Sequence, residues 1–252
     1  MVEVARPLLV IADLDGTLAE SRIQIKKHLA EKVAELTLRM PLAIMSAASF
    51  DRIVERALPD VLPHAKTDNL YVFAAGTSQC FKYENNAWRN VYDMSISASE
   101  REHIVTTITD VVNSSDMLEQ GWDENKKYFE DSGSSITFAA LGVEASPEGK
   151  KKWDPDRTKR TKVRDRLASL LPEYGVYVSG NTSIDVFKKG VNKEHGVRFF
   201  AHELGFQPSE MLFIGDSLYE GGNDAPVIST GIQTLMTTGP KETERLIDEL
   251  LK

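Results

Sequence analysis

Asp13 and Asp15 stand two residues apart in Asp13-Leu14-Asp15-Gly16-Thr17, directly after the apolar run Leu8-Leu9-Val10-Ile11-Ala12. Two acidic side chains so placed, with Gly16 allowing a sharp turn, can both face one pocket. They repel each other unless a cation sits beside them. Hard carboxylate oxygens together with water suit Mg²⁺. A calcium-loop reading fails, because no bidentate Glu lies at the required spacing. Ser46 ends a second apolar run, Leu42-Ala43-Ile44-Met45. Asp216, in Gly215-Asp216-Ser217, ends a third, with Gly221-Gly222-Asn223-Asp224 just beyond, and Lys193 opens the helical stretch leading into it. One aspartate after a strand is ordinarily a cap or turn former. Several polar groups at the ends of buried strands are where an open parallel sheet binds its ligand.

The elements that must position these groups follow from periodicity. Short, continuously apolar runs fit strands buried on both faces of a parallel sheet. Leu29, Val33, Leu36 and Met40 recur at helical spacing, so strand, helix and strand make a right-handed βαβ unit. A helix over 50–58 and a strand over 71–73 follow. Near residue 82 the pattern changes to a hairpin turn at Tyr83–Trp88, a helix over 98–113, strands over 127–130 and 135–138, a polar loop over 145–156, a helix over 160–171, and strands over 176–179 and 184–187. Paired strands with two helices predict an α+β module. The α/β pattern then resumes with a helix over 193–205, strands over 211–214 and near 231–236, and a final helix over 241–251. The expected fold is α/β: a Rossmann-like core of residues 1–82 and 188–252, interrupted by an α+β insert of residues 83–187.

The order Asp13-x-Asp15-Gly16-Thr17, Ser46, Lys193, Gly215-Asp216…Asn223-Asp224 resembles the haloacid dehalogenase superfamily across nearly the whole chain, and the insert resembles its large type-II caps. The match narrows toward eukaryotic-type phosphomannomutases. Arg22 looks like their substrate-contacting arginine. Gly180-Asn181-Thr182-Ser183-Ile184-Asp185-Val186-Phe187 resembles the cap segment that grips the sugar, with Ser183 and Asp185 matching. Those enzymes also place arginines in the cap sheet to hold a second phosphate. Tyr128 through Glu144 contains no arginine, and Gly142-Val143 stands where the family has Gly-Arg. Lys126 and Lys127, just before it, lack the bidentate fork of an arginine. The resemblance therefore implies a phosphatase more strongly than a mutase.

In that reading Asp13 is the nucleophile toward a phosphomonoester. The ion, Mg²⁺, is expected on Asp13, the backbone carbonyl of Asp15, Asp216 and Asp224, the last acting directly, through water or by orienting Lys193. Ser46 and Lys193 face the phosphoryl group. Asp15 is the acid and then the base, which requires a proton against an ordinary pKa of about 3.9; neighbouring carboxylates and burial are expected to raise it. Thr17 tightens the loop. A phosphomannomutase-like phosphotransferase is the alternative, and a receiver-like phosphoacceptor the third reading, in which Asp15 has no task.

The rest of the chain sets bounds. A net charge of −8 over 252 residues argues against non-specific nucleic-acid or anionic-membrane binding. One cysteine, Cys80, excludes an internal disulfide and a Cys-cluster zinc site. The five histidines show no ligand spacing. The basic stretches Lys150–Lys152 and Arg157–Arg166 read as solvated faces, and Trp88, Trp122 and Trp153 as packing residues of the insert. The first six residues lack a secretory leader's cationic region and cleavage site, and a cytoplasmic protein acting on a small phosphorylated substrate is expected. The resemblance implies a homodimer through the cap.

Overall fold

A computed structural model describes residues 6–20, 23–118, 121–179, 181–220 and 222–252. In chain order its elements are β1 (Leu9–Asp13), α1 (Lys27–Arg39), β2 (Leu42–Met45), α2 (Phe50–Ala57), β3 (Leu70–Ala74), β4 (Gln79–Glu84), β5 (Ala87–Asp93), α3 (Ala98–Asn113), β6 (Phe129–Asp131), β7 (Ser135–Ala139), α4 (Pro147–Trp153), α5 (Thr158–Leu170), β8 (Tyr174–Ser179), β9 (Ser183–Lys188), α6 (Lys193–Leu204), β10 (Met211–Gly215), β11 (Gln233–Met236) and α7 (Pro240–Leu250). They form two compact units, residues 1–94 with 191–252, and residues 95–190. Among the described residues no helix is long and apolar enough to cross a membrane.

The first unit is built on a seven-stranded sheet in the order β11-β10-β1-β2-β3-β4-β5. β11 through β3 run parallel, and β4 and β5 add antiparallel strands at one edge. Every residue of β1, β2, β3 and β10 is buried, as strands covered on both faces must be. Val10, Ala12, Leu42, Ile44 and Leu212 point to one face, where α1 lays Leu29, Val33 and Leu36 on them. Ile11, Ala43, Phe73 and Phe213 point to the other, where α6 supplies Val197 and Phe200. Burying each of the valine, leucine, isoleucine and phenylalanine side chains among these stabilises by about 1.5–3 kcal/mol, which makes the strand ends a rigid platform.

The hairpin over 83–88 belongs to this sheet and not to the insert, which corrects the expected boundary at 82. β4 pairs with β3 and runs through that position without a break. Phe81 stacks on Phe50 with ring centroids 3.8 Å apart, and Trp88 meets Phe50 at 5.3 Å. The rise in polar residues that suggested a boundary is the exposed side of an edge hairpin. Trp88 is therefore a packing residue of the first unit.

The second unit is an antiparallel sheet in the order β6-β7-β9-β8. Ile136, Phe138, Ile184 and Val186 face α3 and α5, which contribute Ile104, Ile108, Val163 and Leu167. A reciprocal Ser97–Glu100 capping box starts α3. Residues 145–156, expected as a loop, contain α4. Ser146 caps it by accepting from the Gly149 amide at 3.2 Å, and Pro147 occupies the first turn, where a missing N–H costs nothing. Trp122 and Trp153 pack in this unit.

Candidate active site

Strand register fixes where the chemistry converges. β1 lies between β10 and β2, with Asp13 level with Met45 and Ala12 level with Ile214. Asp13, Ser46 and Asp216 therefore emerge side by side at the carboxyl rim. Gly16 has φ +88°, and a Cβ there would sit 2.6 Å from a carboxylate oxygen of Asp216. Only glycine lets the first loop close on the last one. A Cβ on Gly215 would likewise run into the Asp224 carboxylate.

One carboxylate oxygen from each of Asp13, Asp216 and Asp224 lies within 4.8 Å of the others. Asp13, Asp224 and Lys193 are almost wholly buried. Lys193 Nζ bridges Asp13 and Asp224 through charge-assisted hydrogen bonds to both. Asn192 sets it there: its side chain accepts from the His195 amide at 3.1 Å and starts α6 with Lys193 in the first turn. The Asn192 carbonyl in turn accepts from Thr77 Oγ1 at 2.6 Å. Thr77 holds φ +76°, a costly conformation for a β-branched residue, in a turn whose Gly76 amide donates to the Ser46 carbonyl at 3.1 Å. That strained turn ties the end of β2 to the start of α6.

The electrostatics follow the burial. Desolvation raises the Asp13 pKa to about 6; Lys193 pulls it down, and Asp224 and Asp216 push it up. For Lys193, burial acts to lower the pKa, and the adjacent Asp13 and Asp224 more than offset it, so the ammonium is held above its ordinary range. Three acids against one lysine leave the cluster anionic. Its all-oxygen donor set fits a hard divalent cation such as Mg²⁺.

Asp15 faces a different neighbour from the one expected. Its carboxylate accepts from Arg56 Nη2 at 2.7 Å and Nη1 at 3.4 Å, and from Ser46 Oγ at 3.4 Å. The carboxylates of Asp216 and Asp224 lie close to Asp13. The Asp15 side chain is not part of the Asp13–Asp216–Asp224 cluster. Arg56 belongs to no motif and was missed by sequence reasoning. The available signal was its position three residues after buried Ile53, at the border of the core-facing stripe of α2, where a cation needs a partner.

The remaining expected residues divide as follows. Ser46 is buried, and its Oγ accepts from the Ala48 amide at 3.1 Å. Thr17 is buried with its hydroxyl unpartnered. Ser183 and Asp185 lie on β9, on the face opposite its core residues Ile184 and Val186. Thr137 Oγ1 donates to Asp185 Oδ1 at 2.7 Å. Register aligns Glu130, Thr137, Asp185 and Tyr177 in one row across the four strands. Arg22, Gly180 and Gly221 lie outside the described residues. Cys80 is buried and its thiol is pushed up to about 12, leaving it unreactive.

Residues 65–244 match the family model of the haloacid dehalogenase-like hydrolases. The chain belongs to this family and is an enzyme of its phosphatase and phosphotransferase type. It is 24% identical to a phosphomannomutase of Spinacia oleracea, covering 98% of this chain and 97% of that one. To a phosphomannomutase of Saccharomyces cerevisiae it is 22% identical, covering 96% and 93%. Among solved structures, an IMP-bound IMP-nucleotidase of Plasmodium falciparum superposes with a TM-score of 0.68 at 18% identity, over 99% of this chain and 70% of that one. A trehalose-6-phosphate phosphatase of Aspergillus fumigatus superposes with a TM-score of 0.62 at 15% identity, over 97% and 92%. These two likenesses carry the fold.

Proposed function

We propose that this protein is a Mg²⁺-dependent phosphomonoester hydrolase acting on a small phosphorylated metabolite, a sugar phosphate, through an aspartyl phosphate on Asp13. The observation that carries the proposal is the convergence of the Asp13, Asp216 and Asp224 carboxylates at the sheet rim, where Asp13 and Asp224 share one buried lysine. A Mg²⁺ ion held by those carboxylates and the Asp15 carbonyl would offset the charge of the phosphoryl oxygens.

The chain's own groups do the rest. An Asp13 carboxylate oxygen attacks phosphorus, and the phosphorus–oxygen ester bond breaks. The leaving oxygen takes a proton from Asp15. Water then attacks the aspartyl phosphate and gives a proton to Asp15, the bond from phosphorus to Asp13 breaks, and inorganic phosphate leaves. Lys193 keeps Asp13 in line and adds a compact positive charge, and Ser46 donates to the transferring group. Arg22, Ser183 and Asp185 are the proposed contacts to the sugar.

Hydrolysis is preferred over phosphate shuttling because the cap sheet carries no arginine between Tyr128 and Glu144. The row across that sheet holds Glu130, Thr137 and Asp185, none of which is a cation that could clamp a phosphate. The full-length likeness to phosphomannomutases favours the second reading, mutation of mannose 1-phosphate to mannose 6-phosphate. Incubation with mannose 1-phosphate and a trace of glucose 1,6-bisphosphate separates the two. Phosphate release is expected; mannose 6-phosphate without phosphate release establishes the mutase.

A further inference from the structure

Arg56 makes contacts that an ordinary surface ion pair does not. It sits in the last turn of α2, where a cation is favoured by the helix dipole, and only 14% of its side chain is exposed. Nη2 donates to Asp15 Oδ1 at 2.7 Å and Nη1 lies 3.4 Å from Oδ2, so the guanidinium reaches both carboxylate oxygens, one closely and one at long range. Nε and Nη2 also donate to the Ile23 carbonyl at 3.3 and 3.1 Å, and the Arg56 carbonyl accepts from the Ile25 amide at 3.0 Å. One residue of α2 thus grips both ends of the loop that leaves β1.

Asp13 needs no such help. It is buried and fixed by Lys193. Asp15 is one-third exposed, and the Arg56 guanidinium is among the groups that hold its carboxylate, with Ser46 Oγ at 3.4 Å. The two aspartates of one short motif are held from different directions: one by α6 and the other by α2.

We infer that Arg56 is a positioning residue, whose fork sets the Asp15 carboxylate where it can take the proton of the attacking water. The inference rests on the proposed roles of Asp13 and Asp15. Arg56 touches none of Asp13, Lys193, Asp216 or Asp224 in the contacts described above, so its loss leaves the nucleophile and the cation cluster standing. With an aryl phosphate, whose leaving group needs no proton, attack by Asp13 proceeds, with Asp13 gaining the phosphoryl group and the aryl oxide departing. The second step, in which water donates its proton to Asp15 and the bond from phosphorus to Asp13 breaks, is the one that slows.

The test is Arg56→Ala and Arg56→Lys in the full-length protein with Mg²⁺ and 4-nitrophenyl phosphate. It is read by stopped-flow nitrophenolate release and by mass spectrometry of the acid-quenched Asp13 peptide. Arg56→Ala is expected to give a burst followed by turnover slowed by about 10²-fold, the scale of a misplaced catalytic group. KM falls with kcat so that kcat/KM holds, phosphoryl-Asp13 accumulates, and added guanidinium restores part of the rate. Arg56→Lys, a point charge on a flexible stem, is expected to fall between and decides the matter where the alanine variant melts early. Loss of kcat and kcat/KM together without phosphoenzyme, or a lysine variant equal to the native protein, overturns the positioning role alone. No burst and no phosphorylated Asp13 peptide in native or variant protein, with the aryl phosphate left intact, overturns the hydrolase reading, and the inference with it.

Discussion

The two sheets of this chain handle acidic side chains in opposite ways. At the rim of the seven-stranded sheet Asp13 and Asp224 are buried and share Lys193, while Asp15 is forked by Arg56. In the four-stranded sheet Glu130 and Asp185 stand in a row with Thr137 and Tyr177, and Asp185 is held by a neutral hydroxyl. The first arrangement concentrates negative charge in a low-dielectric site, which suits a divalent cation that in the proposed reading would offset the charge of a phosphoryl group. The second offers carboxylate acceptors and an exposed aromatic ring, groups that suit hydroxyls and a sugar face.

The comparison breaks most sharply at Asp13. Asp13→Asn is expected to lower turnover by at least about 10³-fold with an unchanged circular dichroism spectrum, on the scale of nucleophile removal in other enzymes. Retention of more than a few per cent of metal-dependent activity removes the nucleophile. Lys193→Ala leaves two buried acids without their cation. It is expected to destabilise the metal-free protein by about 3–5 kcal/mol in urea unfolding, and added Mg²⁺ should restore part of that loss. A midpoint equal to that of the native protein would show that Lys193 is not the charge partner.

The raised pKa of Asp13 gives a pH test. In the metal-free protein the folded state holds this proton up to about pH 6, whereas the unfolded chain releases it near 3.8. The stability linked to it is present below pH 4 and is lost as pH rises through 6. Cation binding needs the carboxylate, so the thermal shift given by Mg²⁺ should grow from pH 5 to pH 7. A shift independent of pH over that range would take Asp13 out of the ion's coordination. The smallest effect belongs to the second sheet. Asp185→Asn should raise KM for a sugar phosphate by about tenfold, the loss of one charge-assisted hydrogen bond, and leave an aryl phosphate untouched. An equal change for both substrates would move Asp185 from recognition to structure.

The parallel sheet was legible because its strands are continuously apolar and its helices keep a 3.6-residue period, as in Leu42–Met45 and in Leu29, Val33 and Leu36. The rim followed, since Asp13, Ser46 and Asp216 each end such a strand. The edge hairpin was not legible, because Tyr83–Trp88 alternates in a way that fits either sheet and only pairing with β3 decides. Nor was α4, whose two flanking prolines read as breakers although one sits where a helix tolerates it. Arg56 escaped because its partner lies 41 residues away, and no local pattern encodes that contact.

The central claim is hydrolysis of a single phosphate at the Asp13 rim. Phosphate release across a panel of sugar monophosphates, with Mg²⁺ and after chelation, tests it most directly. The account predicts inorganic phosphate and free sugar in equal amounts for at least one member, lost on chelation and in Asp13→Asn. Isomerised sugar phosphate without free phosphate, or silence across the whole panel, would contradict it.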